Sequence, residues 1–141
     1  MAIFVLTNAQ IIINGTDLSD HGTKVTCIDQ RAEVDVSSFA AGYFQYTKGL
    51  GTAEIDVELL QDFAASKVHA TLQPLIASTS PIIVEIRAVA AARSTTNPAF
   101  LMSTALLFDY TGLNNQINEA AKVTVAFKNG PGGAGMTYPT S

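Results

Sequence analysis

The stretch from Gly49 to Leu75 constrains this chain more than any other, because it holds a strictly alternating segment followed at once by the one convincing helix. Within residues 52–60, Ala53, Ile55, Val57 and Leu59 fall on one face of a strand, and Thr52, Glu54, Asp56 and Glu58 on the other. The reason is that successive strand side chains point to opposite sides. The three carboxylates stand about 7 Å apart along the strand and repel one another. Something must make that face useful or harmless.

The rest of the chain reads mainly as antiparallel strands separated by turn chemistry. Residues 9–13 form a short apolar run ending at Asn14-Gly15, a favoured tight-turn pair. Residues 24–30 alternate around the β-branched Val25, Thr26 and Ile28. A strand over 82–89 follows Pro81, and a polar loop leads from it to a long strand over 100–110. On that strand Phe100, Met102, Leu106, Phe108 and Tyr110 are expected to share a core face. Residues 121–128 close the set, with Val123, Val125 and Phe127 alternating against Lys122, Thr124, Ala126 and Lys128. The helix is predicted between 66 and 77, with Ser66 as N-cap, a stripe of Val68, Leu72, Leu75 and Ile76, and a kink or early end at Pro74.

At 141 residues the chain is long enough for one domain with a real core. Charged residues make up only 14% of it, a low share for a freely soluble monomer, so part of the surface is expected to be covered by copies of itself or by partners. Residues 1–62 hold nine acids against three bases, and residues 63–141 three acids against five bases. That polarity is compatible with head-to-tail association and equally with uneven sampling of few charges. No stretch approaches the roughly 20 apolar residues of a membrane helix. The N-terminal Met-Ala-Ile-Phe-Val-Leu lacks the basic flank of a signal peptide, so folding in the cytoplasm is expected.

Few residues suggest site chemistry. Cys27 is alone, which rules out an internal disulfide, and it reads as a buried strand residue. Gly130, Gly132 and Gly135 match the letter of a dinucleotide-binding pattern, but the chain ends six residues later with no helix to hold a pyrophosphate. Asn14-Gly15-Thr16 has the form of a glycosylation sequon and reads better as a turn. His21 and His69 lie far apart in sequence, which argues against a metal site, and His69 is expected to be solvated. Same-face carboxylates could raise one another's pKa, yet no nucleophile, base and orienting group can be assembled around them, so no enzyme and no cofactor is expected. A pI near 4.9 and the lack of a basic stripe argue against nucleic-acid binding.

Two segments do not read as core. Residues 31–50 carry Phe39, Tyr43, Phe44 and Tyr46 among Ser, Ala and Gly, and form a longer connection than a compact domain usually leaves unstructured. We read them as an extended hairpin arm that docks on a neighbour; a loop folded over its own sheet is the other reading. Residues 129–141, rich in Gly and Pro, are expected to be a flexible tail unless a partner orders them, leaving 1–128 as the folded domain.

The order of these pieces resembles the major tail tube protein of long, non-contractile bacteriophage tails. The residues that carry the resemblance are Ile13-Asn-Gly-Thr-Asp-Leu-Ser-Asp-His21, Glu33-Val-Asp35, Gly49-Leu-Gly51, Val57-Glu-Leu-Leu-Gln-Asp-Phe-Ala-Ala-Ser66 and Val68-His-Ala-Thr-Leu-Gln-Pro-Leu75. It spans residues 9 to 128 and rests on arrangement, since no single element is a signature.

The resemblance implies a β-sandwich or β-roll with one flanking helix, six copies in a ring, and rings stacked into a hollow tube in the virion tail. Each copy would lend strands to a barrel around the lumen, through which DNA passes without specific binding. It further implies that residues 31–50 contact the adjacent ring, with Phe39, Tyr43, Phe44 and Tyr46 as anchors. Glu54, Asp56 and Glu58 would then face either the lumen, as a wall that phosphates do not adhere to, or the solvent outside. The competing readings are a tail terminator or capsid decoration protein, and a carbohydrate-binding β-sandwich, which the absence of Trp disfavours.

Overall fold

The computed structural model describes residues 3–141, so Met1 and Ala2 of the apolar N-terminal stretch lie outside the described residues. The strands are β1 Gln10–Ile13, β2 Thr16–Asp17, β3 Gly22–Asp35, β4 Tyr46–Leu60, β5 Ile82–Arg87, β6 Ala99–Thr111, β7 Lys122–Asn129 and β8 Met136–Thr137. One helix, α1 Val68–Ile76, separates β4 from β5, and a 3-10 turn, Ser19–His21, precedes β3. The strands make one sheet in the order β2-β1-β5-β6-β7-β4-β3, with β8 added to β6, and every strand pair is antiparallel.

That sheet is a roll. β1 and β3 lie near opposite ends of the strand order, yet Gly22 at the start of β3 sits against the Ile11 side chain of β1 with no room for a Cβ. The sheet therefore curls until its ends approach, and its inner faces share one core with α1. Asn14 and Gly15 have φ of 50° and 81°, the left-handed pair that a two-residue hairpin turn needs, and they join β1 to β2 as expected.

Alternation in β4 translates directly into burial. Ala53, Ile55, Val57 and Leu59 point inward, and the register sets Ile55 between Cys27 and Phe127, and Val57 between Val25 and Val125. Each fully buried Ile, Leu or Phe here contributes about 1.5–3 kcal/mol relative to exposure. Cys27 is half-buried, and burial, with the Asp56 carboxylate adding to it, pushes its thiol up to about 11.

The helix has nine residues, too few to be stable alone in water, and depends on burying Val68, Leu72 and Leu75. Two expectations fail here. Ile76, at the edge of the stripe, is exposed. Ser66 is not the N-cap: it has a left-handed φ of 61°, and Lys67 precedes the helix without a side-chain cap. Asp62 partly replaces the missing cap, because its backbone carbonyl accepts from the His69 N–H at 3.1 Å and its Oδ1 from the Ala64 N–H at 2.9 Å. The helix ends two residues after Pro74.

β6 departs most from its expected pattern. A register shift between its pairs with Ile82 and Val84, and another between Leu107 and Asp109, switch which residues face the core. Ala99, Met102, Ala105 and Leu107 are buried, while Phe108 is exposed and Phe100, Leu106 and Tyr110 are only partly covered. The segment 129–141, read from sequence as a flexible tail, is paired here. After the turn at 131–132, β8 continues along β6 where β7 stops, Met136 is buried, and the Ala99 N–H donates to the Pro139 carbonyl at 3.0 Å. The Tyr138 ring meets Phe100 edge-on at 5.4 Å, and its hydroxyl donates to Asp29 Oδ2 at 2.7 Å.

Candidate functional site

Three surface features are set by the two long strands and the ends of the roll. The first is the arm. β7 accompanies β4 only as far as the pair of Glu54 with Lys128, so residues 46–53 of β4 are paired with β3 alone. From Gly51 to the tip is about ten residues, or roughly 30 Å of two-stranded ribbon. The pairs Glu33 with Lys48, Val34 with Thr47 and Asp35 with Tyr46 carry the ribbon outward.

Its tip is organised by hydrogen bonds. The Ser37 N–H donates to Asp35 Oδ1 at 2.8 Å, the Gln45 N–H to Ser37 Oγ at 2.7 Å, and the Val36 N–H to the Gln45 carbonyl at 2.9 Å. Phe39, Tyr43, Phe44 and Tyr46 are all exposed, joined by Val34, Val36 and Leu50. The expected hairpin is therefore present, and it does not fold back over its own sheet.

The second feature is the polar face of β4, which brings Glu54, Asp56 and Glu58 together. Pairing places them in cross-strand rows: Lys24, Glu58, Thr124; then Thr26, Asp56, Ala126, Asp109; then Ile28, Glu54, Lys128. The small Ala126 leaves a gap between Asp56 and Asp109, part of a groove of about 370 Å³. Burial, reinforced by the Glu54 charge, raises the Asp56 pKa, and Lys128 partly offsets the effect. Glu58 accepts from Thr23 Oγ1 at 3.1 Å and lies 3.7 Å from Lys122 Nζ. The self-repulsion expected from sequence is thus diluted by Lys24, Lys122 and Lys128 on neighbouring strands. Periodicity within one strand does not carry that information, because it depends on register.

The third feature is a pair of histidine contacts near the ends of β4 and β6. His21 lies between Asp20 Oδ1 at 2.7 Å and Asp62 Oδ2 at 2.9 Å, and these carboxylates raise its pKa. His69, expected to be solvated, instead has Nδ1 2.6 Å from the Tyr110 hydroxyl, with Phe63 tilted against its ring at 5.1 Å. Sequence spacing does not pair His21 with Asp62 or His69 with Tyr110, since each partner is 41 residues away. Among the described residues no cluster of three or more His, Cys, Asp or Glu could hold a metal ion, and no helix is long and apolar enough to cross a membrane.

Two surfaces have no strand partner among the described residues. β3 is an edge strand of 14 residues with β4 on one side only. The segment Ile3, Phe4, Val5 and Leu6 is exposed along its whole length.

No protein-family model and no curated protein matches the sequence. Solved structures do match the fold. A chain of the sheath-tube complex of an extracellular contractile injection system in its extended state aligns at a TM-score of 0.70 and 11% identity, over 99% of this chain and 93% of that one. A chain of the tube-terminating cap of the anti-feeding prophage aligns at 0.71 and 9%, over 100% and 95%. A chain from the tail of an empty gene transfer agent particle, refined with C6 symmetry, aligns at 0.52 and 13%, over 84% and 82%. At these identities the likeness is one of fold: an antiparallel sheet with a single helix, shared with components of tails and tubes.

Proposed function

We propose that this chain is a structural subunit of a phage-type tail, whose copies close into six-membered rings that stack into a hollow tube for DNA. The observation that carries the proposal is the arm: a hydrogen-bonded ribbon standing clear of the core, with four exposed aromatic residues and no use within its own domain. The shared fold with tail and tube components supports it, and the C6 symmetry of the gene transfer agent tail supports a sixfold ring. The open edge of β3 and the apolar segment 3–6 are where neighbours within a ring would pair, because a closed ring leaves no edge strand exposed. On this reading the product is not an enzyme, and its partners are itself and other tail proteins.

Glu54, Asp56 and Glu58 are assigned to the lumen. With Asp109 they oppose Lys24, Lys122 and Lys128 in a mosaic that gives a phosphate backbone no continuous row of cations to settle on. Replacing the three acids with lysine leaves tubes intact and impairs DNA delivery; unimpaired delivery returns this face to the exterior of the tube. The sequence resemblance favours a long non-contractile tail, and a sheath protein that co-purifies with the tubes would reverse that assignment.

Electron microscopy of concentrated purified protein tests the main reading, which requires long hollow tubes. The tube-terminating cap aligns as well as the sheath-tube chain does, so a cap or terminator is the second reading. Isolated rings would establish it, and monomers alone would refute both.

A further inference from the structure

At the pole opposite the arm, the end of β4, the end of β6 and the start of α1 border an open, shallow apolar cleft of about 300 Å³. Phe63 and Leu113 form its exposed lips, and His69 and Tyr110 its floor, with Gln61 Nε2 donating to the Gly112 carbonyl at 2.8 Å to hold the rim. We propose that this cleft receives the arm tip of a second copy, an aromatic ring from the tip seating between Phe63 and Leu113. The proposal rests on the stacking reading above and names the surface that stacking uses.

Three observations select this occupant. The cleft adjoins the last residue of β4 and the arm tip adjoins its first, about 45 Å apart along the strand, so no chain can fill its own cleft. Heterologous contacts of this kind propagate from copy to copy without closing.

The size also matches. Aromatic side chains carry 150–250 Å² each, and Phe39, Tyr43, Phe44 and Tyr46 are 111%, 88%, 79% and 58% exposed. Together they offer roughly 700 Å², of which the cleft takes one ring, about 200 Å², the size of a single aromatic anchor.

Charge is compatible as well. Residues 36–46 contain no Asp, Glu, Lys, Arg or His, and the cleft is lined by no Asp, Glu, Lys or Arg, so docking strips water from no obligatory ion.

The test is cross-linking in trans. Ser38→Cys and Asn114→Cys, exposed positions beside the tip aromatics and the cleft lip that leave both in place, are made in separate chains, mixed at the concentration used for microscopy, and treated with a short bismaleimide. Cys27 competes poorly, being half-buried with its thiol pKa near 11. The expected result is a covalent dimer in the mixture, at least tenfold above either variant alone, in samples that contain tubes. Tubes without the heterodimeric cross-link overturn the cleft assignment and leave the tube reading intact. A cross-link without tubes upholds the contact and overturns the tube reading. Neither tubes nor cross-link overturns both.

Discussion

Replacing Phe39 and Tyr43 together with serine isolates the contribution of the arm tip to assembly. Both side chains are fully or almost fully exposed in the single chain, so the substitution removes no intramolecular packing. Each ring carries about 200 Å². If half of that is covered in the stack, the loss is about 2.5 kcal/mol per residue at 25 cal/mol per Å², within the range of interface hot spots. Allowing for non-additivity, the pair costs about 4 kcal/mol, and each 1.4 kcal/mol is a factor of ten in an association constant. The concentration at which tubes form should therefore rise by about a thousandfold, read by pelleting the protein over a dilution series and counting tubes by microscopy. The melting temperature of the unassembled protein should stay within about 2 °C of wild type. An unchanged assembly threshold would refute the reasoning, as would a large fall in melting temperature, which would mean that the tip packs against its own domain.

Two further outcomes follow from the charged groups. Asp56→Asn removes a carboxylate whose ionisation is opposed by burial and by Glu54. It should stabilise the protein at pH 7 by about 0.2–1 kcal/mol, as relief of like-charge neighbours on a sheet does. Because the folded-state pKa is raised, the penalty disappears at acid pH, where Asp56 is protonated in both states; a thermal-melt gain that persists undiminished at pH 3.5 contradicts this. His21 has a raised pKa, owing to its hydrogen bonds to Asp20 and then Asp62, so its stabilisation is complete below about pH 6.5 and is lost as pH climbs through the higher folded value. Thermal melts between pH 6 and 9 should show a decline that His21→Gln flattens, and parallel profiles would dismiss the contact.

The parts of the fold that could be read from sequence are those where one strand or helix decides its own pattern. Ile55, Val57 and Leu59, and likewise Val123, Val125 and Phe127, are buried where period two puts them. The Asn14-Gly15 turn and the hairpin arm follow from local chemistry in the same way. β6 escaped because bulges reset its phase twice, and a bulge is fixed by the partner strand. β8 escaped because two residues among glycines have no periodicity, and they are held by an edge of β6 that β7 leaves vacant. Of the candidate surfaces, the arm and the acidic row were visible as local patterns. The lysines beside that row, the His21 contact with Asp62, and the cleft behind Phe63 arise only when distant segments are brought into register.

The position of the arm at one end of β4, with the aromatic cleft at the other, gives any stack of these chains a direction. One end of the assembly displays free arms and the other vacant clefts, so addition at the two ends is chemically different and each calls for a different finishing protein. A ring of copies without their arms could still accept arms from a neighbour, and would then halt growth in that direction. Small amounts of such rings would set the length of the stack, much as a chain terminator does in templated polymerisation.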